Sequence, residues 1–339
     1  MLKSATFIFL RTLSIIHVDT EEIWRGGQEA LLTLARGLRT RGHRQTIVCP
    51  PSSALAERAI AAGFPIAKTG LRTADIVHAH GGRALTVAFW ETLGGSARRV
   101  VTRHVAFRPR NPWLHWLKYQ RTCSGVIAVS NAVRSGLIDS GVAPDKIEVI
   151  HTGIDVPVLA RHRSSDAAFV IGHLGAFTEE KGQDVAVAAA ALLQPSLPRA
   201  RFVLAGEGPL LAALRRNAPA NVTFPGFISD RAAFYAGLDL FIMPSRSEAW
   251  GLAALEAMAH GVPVIASDVG GLPEIVEPGN GGWLVSVGDP AALARAIMAA
   301  AADPDRLREQ SEKAGARARC FSVDRMVDQT EEFYRRFTS

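Results

Sequence analysis

Two glutamates that could bind hydroxyl groups stand eight positions apart in the stretch SRSEAWGLAALEAMAHGVPVIASDVGG. Its apolar pattern predicts a helix that begins near Gly251, with Glu248 just before it and Glu256 in its second turn. If all eight residues were helical, they would span about 12 Å. The free N–H groups of Leu252 and Ala253 at the helix start would attract a negative group between the carboxylates. This spacing fits two contacts to one elongated ligand, or a first-turn acid beside an unrelated one.

The surroundings of Glu256 favour the ligand. Its sequence neighbours Leu255, Ala257, Met258 and Ala259 form an apolar helix surface. An unpaired carboxylate on such a surface is costly, because it loses water without gaining a partner. The cost of such burial favours a ligand contact for Glu256, while an acid unrelated to any ligand stays the alternative.

Glycines and a lysine mark three further turns at strand ends. Gly26 and Gly27 could let the backbone approach a phosphate at a helix start, or they could simply form a tight turn. Lys181 could add a mobile cation suited to a diphosphate, or be a solvated surface lysine. Gly206 and Gly208, in GEGP, could lie close to a ligand, or they could simply form a tight turn. Neither a dinucleotide-binding fingerprint nor a P-loop pattern occurs at these turns.

Short apolar strands alternate with helical patterns along the chain, which predicts an α/β fold with mainly parallel sheets. We expect one domain over residues 1–157, a linker rich in Gly, Pro, Ser and charge over 158–168, and a second domain over 169–320. Residues 321–339 are expected to form a helix that packs back toward the first domain. Ligands of parallel sheets bind beyond the carboxyl ends of the strands, so two such domains would bind a ligand in the cleft between them.

The composition is that of a soluble globular protein, with 339 residues, 48% hydrophobic and 21% charged. Its three cysteines lack metal-ligand spacing, which indicates a reducing compartment and argues against a disulfide framework or a zinc site. No apolar run reaches the roughly 18 to 20 residues of a membrane span, and we expect no signal peptide. His78 and His80 have a spacing that can bind metal, but no third ligand is visible in the sequence, and we expect structural roles.

The first half of the chain is basic. Residues 1–160 contain 20 Lys and Arg against 11 Asp and Glu, whereas residues 161–339 contain 18 against 21. This predicts an anionic partner for the first half: phosphate, nucleic acid or a membrane surface. Residues 103–121 interleave basic and aromatic side chains, which can pack into the domain, lie on an anionic membrane or bind single-stranded nucleic acid. We favour the first two and expect no nucleic acid partner. The side chains concerned are Arg103, Phe107, Arg108, Arg110, Trp113, Trp116, Lys118, Tyr119 and Arg121.

Several motifs together resemble one family. The E-x7-E stretch is accompanied, in order along nearly the whole chain, by WRGGQEALLTLARGLRTRGH, DIVHAH, VVTRH, VIAVSNAVR, IEVIHTGID, EKGQD, LAGEGP and NGGWLV. The set resembles the retaining glycosyltransferases of family four. That resemblance implies the GT-B architecture, in which two Rossmann-like parallel-sheet domains face each other across a cleft. It also implies a nucleotide-sugar co-substrate, no bound metal and no cofactor.

The resemblance implies roles for individual residues. His104 and Glu248 would face the donor sugar at the reacting centre, and Glu256 would bind the ribose hydroxyls. Lys181 and the backbone of the helix start would bind the diphosphate. The implied nucleotide-sugar site comprises Gly26, Gly27, Lys181, Gly206, Gly208, Phe227, Ala249, Trp250, Gly251, Leu252, Ala253 and Glu256.

Two positions depart from the family pattern. Ala176 occupies the place of an arginine that usually binds the diphosphate, so a bidentate guanidinium contact is lost. We expect either another cation, with Arg25 and Arg103 as candidates, or weaker donor binding. Ala249 replaces a glycine, which is a mild change if the backbone keeps a negative φ.

The resemblance implies a metal-independent hexosyltransferase that retains anomeric configuration. It would move a sugar from a nucleotide diphosphate, with UDP favoured, to a glycan or lipid-linked acceptor in cell-surface polysaccharide or lipopolysaccharide synthesis. We expect it in the cytoplasm, with membrane contact at the inner face as a further expectation. A sugar-nucleotide 2-epimerase and a non-catalytic sugar-nucleotide-binding partner are the alternatives.

Overall fold

The computed structural model describes residues 11–68, 71–105, 112–155 and 168–338. Its N-terminal sheet has six parallel strands in the order β2-β1-β3-β4-β5-β6. The strands are β1 (Ser14–Val18), β2 (Arg44–Val48), β3 (Ile76–His80), β4 (Arg98–Arg103), β5 (Gly125–Ala128) and β6 (Ile147–Val149). The helices between them are α1 (Gly26–Thr40), α2 (Ala54–Ala61), α3 (Gly82–Glu91), α4 (Pro112–Thr122) and α5 (Asn131–Asp139).

The second sheet has seven parallel strands in the order β12-β13-β11-β10-β7-β8-β9. The strands are β7 (Phe169–Leu174), β8 (Ala200–Ala205), β9 (Val222–Gly226), β10 (Leu240–Met243), β11 (Val264–Ser267), β12 (Glu277–Pro278) and β13 (Gly281–Val285). The helices are α6 (Gln183–Leu193), α7 (Leu211–Asn217), α8 (Arg231–Ala236), α9 (Leu252–Ala259), α10 (Leu272–Ile275), α11 (Pro290–Ala302) and α12 (Pro304–Ala318), and α13 (Val323–Thr338) follows them. The two sheets confirm the predicted α/β class.

The central strands are buried on both faces. Every residue of β3, β5, β10 and β11 is buried, which is why these strands read as continuous apolar runs rather than alternating ones. The exceptions in β3 are His78 and His80, which are buried imidazoles in the middle of the N-terminal sheet.

The last helix returns to the N-terminal domain. Helix α13 buries Phe333 and Tyr334, and the Phe333 ring covers Gly125 of β5 so closely that a Cβ atom there would lie 2.5 Å from it. Val327 covers Gly37 of α1 in the same way, since a Cβ atom on Gly37 would lie 2.3 Å from the Val327 side chain. The glycines thus let α13 pack directly on the sheet and on α1. Residues 156–167, which include most of the expected linker, lie outside the described residues.

The two domains also meet through polar contacts around Glu274. Glu274 of α10 accepts hydrogen bonds from the backbone N–H of Asn131 at 2.7 Å and from its side chain at 2.8 Å. His151 Nε2 lies 3.0 Å from the same carboxylate. Glu274 therefore occupies the N-terminus of α5 in the other domain, where helix N–H groups favour a negative charge. Within the described part of the chain, none of the helices combines the length and the apolarity that a membrane span requires.

Candidate active site

Helix α9 begins at Leu252, directly after Gly251, as its apolar pattern predicts. Gly251 has a φ of +106°, and a Cβ atom there would lie 2.6 Å from the Leu272 side chain. Only glycine fits this position without strain. Because it has no side chain to cap the helix, the first N–H groups of α9, including those of Leu252 and Ala253, can bind a ligand.

The Glu248 backbone is held by a loop of the neighbouring strand. Gly271 N–H donates to the Glu248 carbonyl oxygen at 3.1 Å, and a Cβ atom on Gly270 would lie 1.8 Å from that oxygen. The close approach explains the paired glycines of DVGG. Ala249 keeps a negative φ, because no described residue other than glycine has a positive one. Its methyl group is therefore accommodated without backbone strain.

Lys181 and Glu248 lie side by side. Lys181 ends a short 3-10 turn after β7, and its Nζ atom lies 2.6 Å from the Glu248 Oε2 atom. Strand β7 pairs with β10, so the loops that follow these two strands meet at the same sheet edge. Gly182 allows the contact, since its φ is +67° and a Cβ atom would lie 2.0 Å from the Pro244 carbonyl oxygen. A cation and a carboxylate thus lie together beside the α9 N-terminus.

Glu256 has two partners from α8. Arg231 donates to its Oε1 atom at 2.8 Å, and the Tyr235 hydroxyl donates to its Oε2 atom at 2.7 Å. Burial raises the pKa of Glu256, and the charge of Arg231 opposes that rise. The two donors offset much of the cost of burying a carboxylate. Neither partner was predicted from the sequence, although their spacing of four residues places them on one face of a helix.

The start of α1 faces the start of α9 across the interdomain cleft. A Cβ atom on Gly26 would lie 3.8 Å from the Leu252 side chain. Arg231 Nη1 lies 3.9 Å from Glu29 Oε2 of α1, so this arginine reaches both domains. Two helix N-termini therefore face one space, and their positive ends suit an anionic ligand.

His104 follows β4 and lies against Gly27. A Cβ atom on Gly27 would lie 3.6 Å from the His104 ring, which is ordinary van der Waals distance, so the start of α1 and the imidazole are close neighbours. Burial, together with the neighbouring charge of Arg103, lowers the pKa of His104 to about 4. The imidazole is therefore neutral at physiological pH, which suits a hydrogen-bonding role better than a charged one.

The remaining predicted residues divide into two groups. Gly206 and Gly208 lie at the end of β8 against the Gly175 and Phe177 backbones, and Phe227 follows β9 with 61% of its surface exposed. These residues surround the same sheet edge as Lys181. The Trp250 side chain, in contrast, is buried at the domain junction, where its Nε1–H donates to the Thr152 carbonyl at 3.1 Å. Its predicted contact to the nucleotide sugar would have to come from its backbone.

Ala176 stands where the family usually has an arginine, and its backbone lies in a polar environment. Its carbonyl accepts a hydrogen bond from Gln183 at 2.8 Å. Of the two candidate replacements, Arg103 has its guanidinium over the Tyr119 ring, 5.8 Å from the centroid, and so lies toward α4. Arg25 stands at the N-cap of α1. A further cation, Arg231, lies between the two domains and was not predicted from the sequence.

The structure adds a third imidazole to His78 and His80. His17 lies opposite His78 in the β1–β3 register, and one ring nitrogen from each of the three comes within 4.8 Å of the others. Both ring nitrogens of His78 already face hydroxyl groups at 2.6 Å, from Thr102 and Tyr334. We therefore interpret the cluster as a hydrogen-bonding network within the sheet.

Comparison with known proteins agrees with this architecture. Residues 24–157 match the model of Glycosyltransferase Family 4, and residues 168–303 match that of Glycosyl transferases group 1. The fold and the family matches define a GT-B glycosyltransferase, as the motifs indicated. The chain belongs to the family 4 glycosyltransferases.

Individual relatives are similar over different shares of their length. EpsD of Bacillus subtilis (strain 168), assigned to the glycosyltransferases, is 29% identical over 289 residues, which is 77% of this chain and 76% of EpsD. D-inositol 3-phosphate glycosyltransferase of Mycobacterium tuberculosis (strain ATCC 25177 / H37Ra) is 32% identical over 62% of this chain, which spans 48% of that relative. The chain thus spans about half the length of the mycobacterial relatives it matches. The crystal structure of Anabaena Alr3699/HepE in complex with UDP and glucose shares the fold, with a TM-score of 0.84, 22% identity, and coverage of 95% of this chain and 99% of that one.

Proposed function

We propose that the protein is a retaining glycosyltransferase that moves a sugar from a UDP-sugar to a glycan or lipid-linked acceptor. The observation that carries the proposal is the order of groups along α9. Glu248, paired with Lys181, stands before the helix, and the uncapped N-terminus follows it. Glu256 is held by Arg231 and Tyr235 one turn later. A sugar, a diphosphate and a ribose need groups of these kinds in this order.

The site would act by electrostatic stabilisation. As the glycosidic bond breaks, negative charge develops on the leaving diphosphate, and Lys181 and the α9 N-terminus are placed to stabilise it. Glu248 and His104 would orient the sugar. The acceptor hydroxyl would attack the face from which the diphosphate leaves, and a departing phosphate oxygen would take its proton. In this scheme Glu248 is not a nucleophile.

Metal independence is part of the proposal. Lys181 and two facing helix N-termini supply positive charge where the diphosphate would lie, which is the task that a divalent cation performs in other sites. Transfer activity that survives exhaustive treatment with EDTA would support this. Activity that is lost with EDTA and restored by Mg²⁺ or Mn²⁺ would contradict it.

The choice of UDP follows from the Anabaena neighbour, whose structure contains UDP. A thermal-shift panel of UDP-, GDP- and ADP-sugars tests this choice, and the largest stabilisation is expected from a UDP-sugar. Transfer to an acceptor, followed by NMR of the product anomer, then tests retention. An epimer formed from the sugar nucleotide alone would favour the 2-epimerase. Binding without hydrolysis or transfer across a broad acceptor panel would favour a non-catalytic partner.

We further propose that the N-terminal domain contacts an anionic membrane surface, as expected of an enzyme acting on lipid-linked acceptors at the inner face. Trp113 of α4 is 63% exposed and Trp90 of α3 is 62% exposed, and these two helices contact each other. Tyr119 of the same basic segment is buried, so packing accounts for part of the segment only. Phe107, Arg108 and Arg110 lie outside the described residues. A role in cell-surface polysaccharide or lipopolysaccharide synthesis would follow from such an acceptor.

A further inference from the structure

A chain of hydrogen bonds crosses the N-terminal sheet and ends at His104. The Gln45 amide nitrogen donates to the Ala35 carbonyl at 2.7 Å. His17 Nε2 lies 2.8 Å from the Gln45 Oε1 atom, and His17 Nδ1 lies 3.1 Å from His80 Nε2. His80 Nδ1 lies 3.5 Å from His104 Nε2. The chain therefore links a backbone carbonyl on α1 to the residue next to Gly27 in the cleft.

The Ala35 carbonyl, at the start of this chain of hydrogen bonds, determines which atom donates in each bond. The Ala35 carbonyl can only accept, so the Gln45 amide group presents its nitrogen to it and its oxygen to His17. His17 must then carry its proton on Nε2, because a carbonyl oxygen cannot donate. A neutral imidazole has one donor and one acceptor, so His17 Nδ1 accepts from His80 Nε2–H. By the same rule His80 Nδ1 accepts from His104 Nε2–H.

These hydrogen-bond directions require neutral imidazole rings, and burial keeps the rings neutral. Burial lowers the pKa of His17 to about 4 and that of His80 well below its ordinary value. With the pKa of His104 also lowered to about 4, all three imidazoles are neutral at physiological pH. The end of the chain is then a His104 ring whose Nδ1 atom keeps its lone pair. Among the described residues, no hydrogen bond is formed by that atom.

We propose that His80, with His17 and Gln45 behind it, is a positioning residue that holds His104 in its Nε2–H form. His104 Nδ1 is then a fixed acceptor for a hydroxyl of the donor sugar, a role that rests on the proposed function. Fixing the tautomer in advance avoids reorganisation when the sugar binds. The hydrogen-bond chain thus makes His104 favour a neutral donor-sugar group that carries a hydroxyl.

His78 provides a control for the role of His80 in this chain of hydrogen bonds. His78 lies on the same strand, is also buried, and has a ring 4.2 Å from that of His80. Its partners are Thr102 and Tyr334, so it stands outside the chain. Loss of His78 and loss of His80 should therefore disturb the packing of the sheet to a similar degree. Only the second should change the tautomer of His104.

The first readout is ¹⁵N NMR of ring nitrogens in protein labelled at histidine, which needs no substrate. We expect the His104 signals, assigned by their loss in His104→Gln, to show a protonated Nε2 in the unchanged protein. His80→Leu and Gln45→Leu should shift His104 toward a mixture of tautomers. His80→Asn should preserve the Nε2–H form, because its amide oxygen replaces His80 Nδ1. A protonated Nδ1 in the unchanged protein, or no shift in His80→Leu and Gln45→Leu, would overturn the proposal.

The second readout is kinetic. We expect kcat for transfer from a UDP-sugar to fall about 10-fold or more in His80→Leu, because a small misplacement of a reacting group is costly. The donor KM should change by less than about 3-fold, since the diphosphate contacts lie elsewhere. His80→Asn should recover most of the activity, and an equal loss in His78→Leu would overturn the proposal. If no nucleotide sugar reacts at all, the proposed function fails while the NMR result still decides the positioning role.

Discussion

Lys181 Nζ and Glu248 Oε2 lie 2.6 Å apart. The two residues come from loops that follow different strands, and they are 67 positions apart in the chain. In the proposed function one contacts the diphosphate and the other the sugar. Their ion pair therefore lies where, in that function, the bond between sugar and phosphate would break, and each residue orients the other.

Replacing Lys181 should weaken donor binding. We expect Lys181→Met to reduce UDP affinity by about 10- to 100-fold, because a hydrogen bond to a charged group contributes about 1.5–3 kcal/mol. Isothermal titration calorimetry measures the change. Lys313→Met is a matched control, since Lys313 forms a 2.6 Å ion pair with Glu309 on α12. Equal UDP affinities of the Lys181→Met and Lys313→Met proteins would contradict the assignment.

Replacing Glu256 should weaken nucleotide binding. We expect Glu256→Ala to lower UDP affinity by about 10-fold or more, because the ribose hydroxyls would lose a charged acceptor. Calorimetry with UDP measures the affinity, and Glu309→Ala serves as the control, because the Glu309 side chain is exposed on α12. An undiminished affinity in Glu256→Ala would remove the ribose assignment.

Glu256 should also make stability depend on pH. Burial raises its pKa in the folded state, so the folded protein binds this proton more tightly than the unfolded chain does. The stability that this group contributes is present below its ordinary pKa and is lost as pH rises through the raised one. We therefore expect Glu256→Gln to become more stable relative to the unchanged protein as pH rises through this range. Urea unfolding at several pH values measures the difference, and a difference independent of pH would contradict the linkage.

The contact of Glu274 with α5 should stabilise the domain junction. We expect Glu274→Gln to lower the free energy of unfolding by about 1–2 kcal/mol, as removal of a helix N-cap does. Burial acts to raise the pKa of Glu274, but hydrogen bonds from His151 and Asn131 hold it below its ordinary value. Its contribution is thus present above the ordinary pKa and lost as pH falls through the lowered one. Calorimetric unfolding at neutral and acid pH tests both statements. A Gln variant as stable as the unchanged protein at neutral pH would show that the contact contributes nothing.

Removing exposed tryptophans should weaken membrane binding. We expect Trp90→Ser and Trp113→Ser each to reduce binding to liposomes containing phosphatidylglycerol by about 10- to 100-fold, because each loses about 1.5–3 kcal/mol of apolar burial. Sedimentation with liposomes measures bound protein. Leu192→Ser is the control, because Leu192 is 55% exposed on α6 of the other domain. If the two tryptophan variants bound as well as the control, this surface would have no membrane role.

The sequence predicted elements better than contacts. The α/β class and the start of α9 near Gly251 follow from apolar periodicity and a glycine, which are local signals. The pairing of Lys181 with Glu248 depends on β7 lying beside β10, and strand order is not encoded in spacing. His17 joins His78 for a similar reason, because only the β1–β3 register brings them together. Arg231 and Tyr235 were missed because a short helix with ordinary residues carries no motif.

The path of the chain at its end bears on how the protein is made. Ile154 N–H donates to the Phe321 carbonyl at 3.0 Å where the chain returns, and α13 then covers α1 and β5. The second sheet and its helices come from one continuous segment, whereas the first sheet is also covered by α13, which follows the second domain in the sequence. During synthesis the second sheet can therefore be complete while the first still lacks its covering helix. We therefore expect the domain that is translated first to finish folding last, contrary to the usual order.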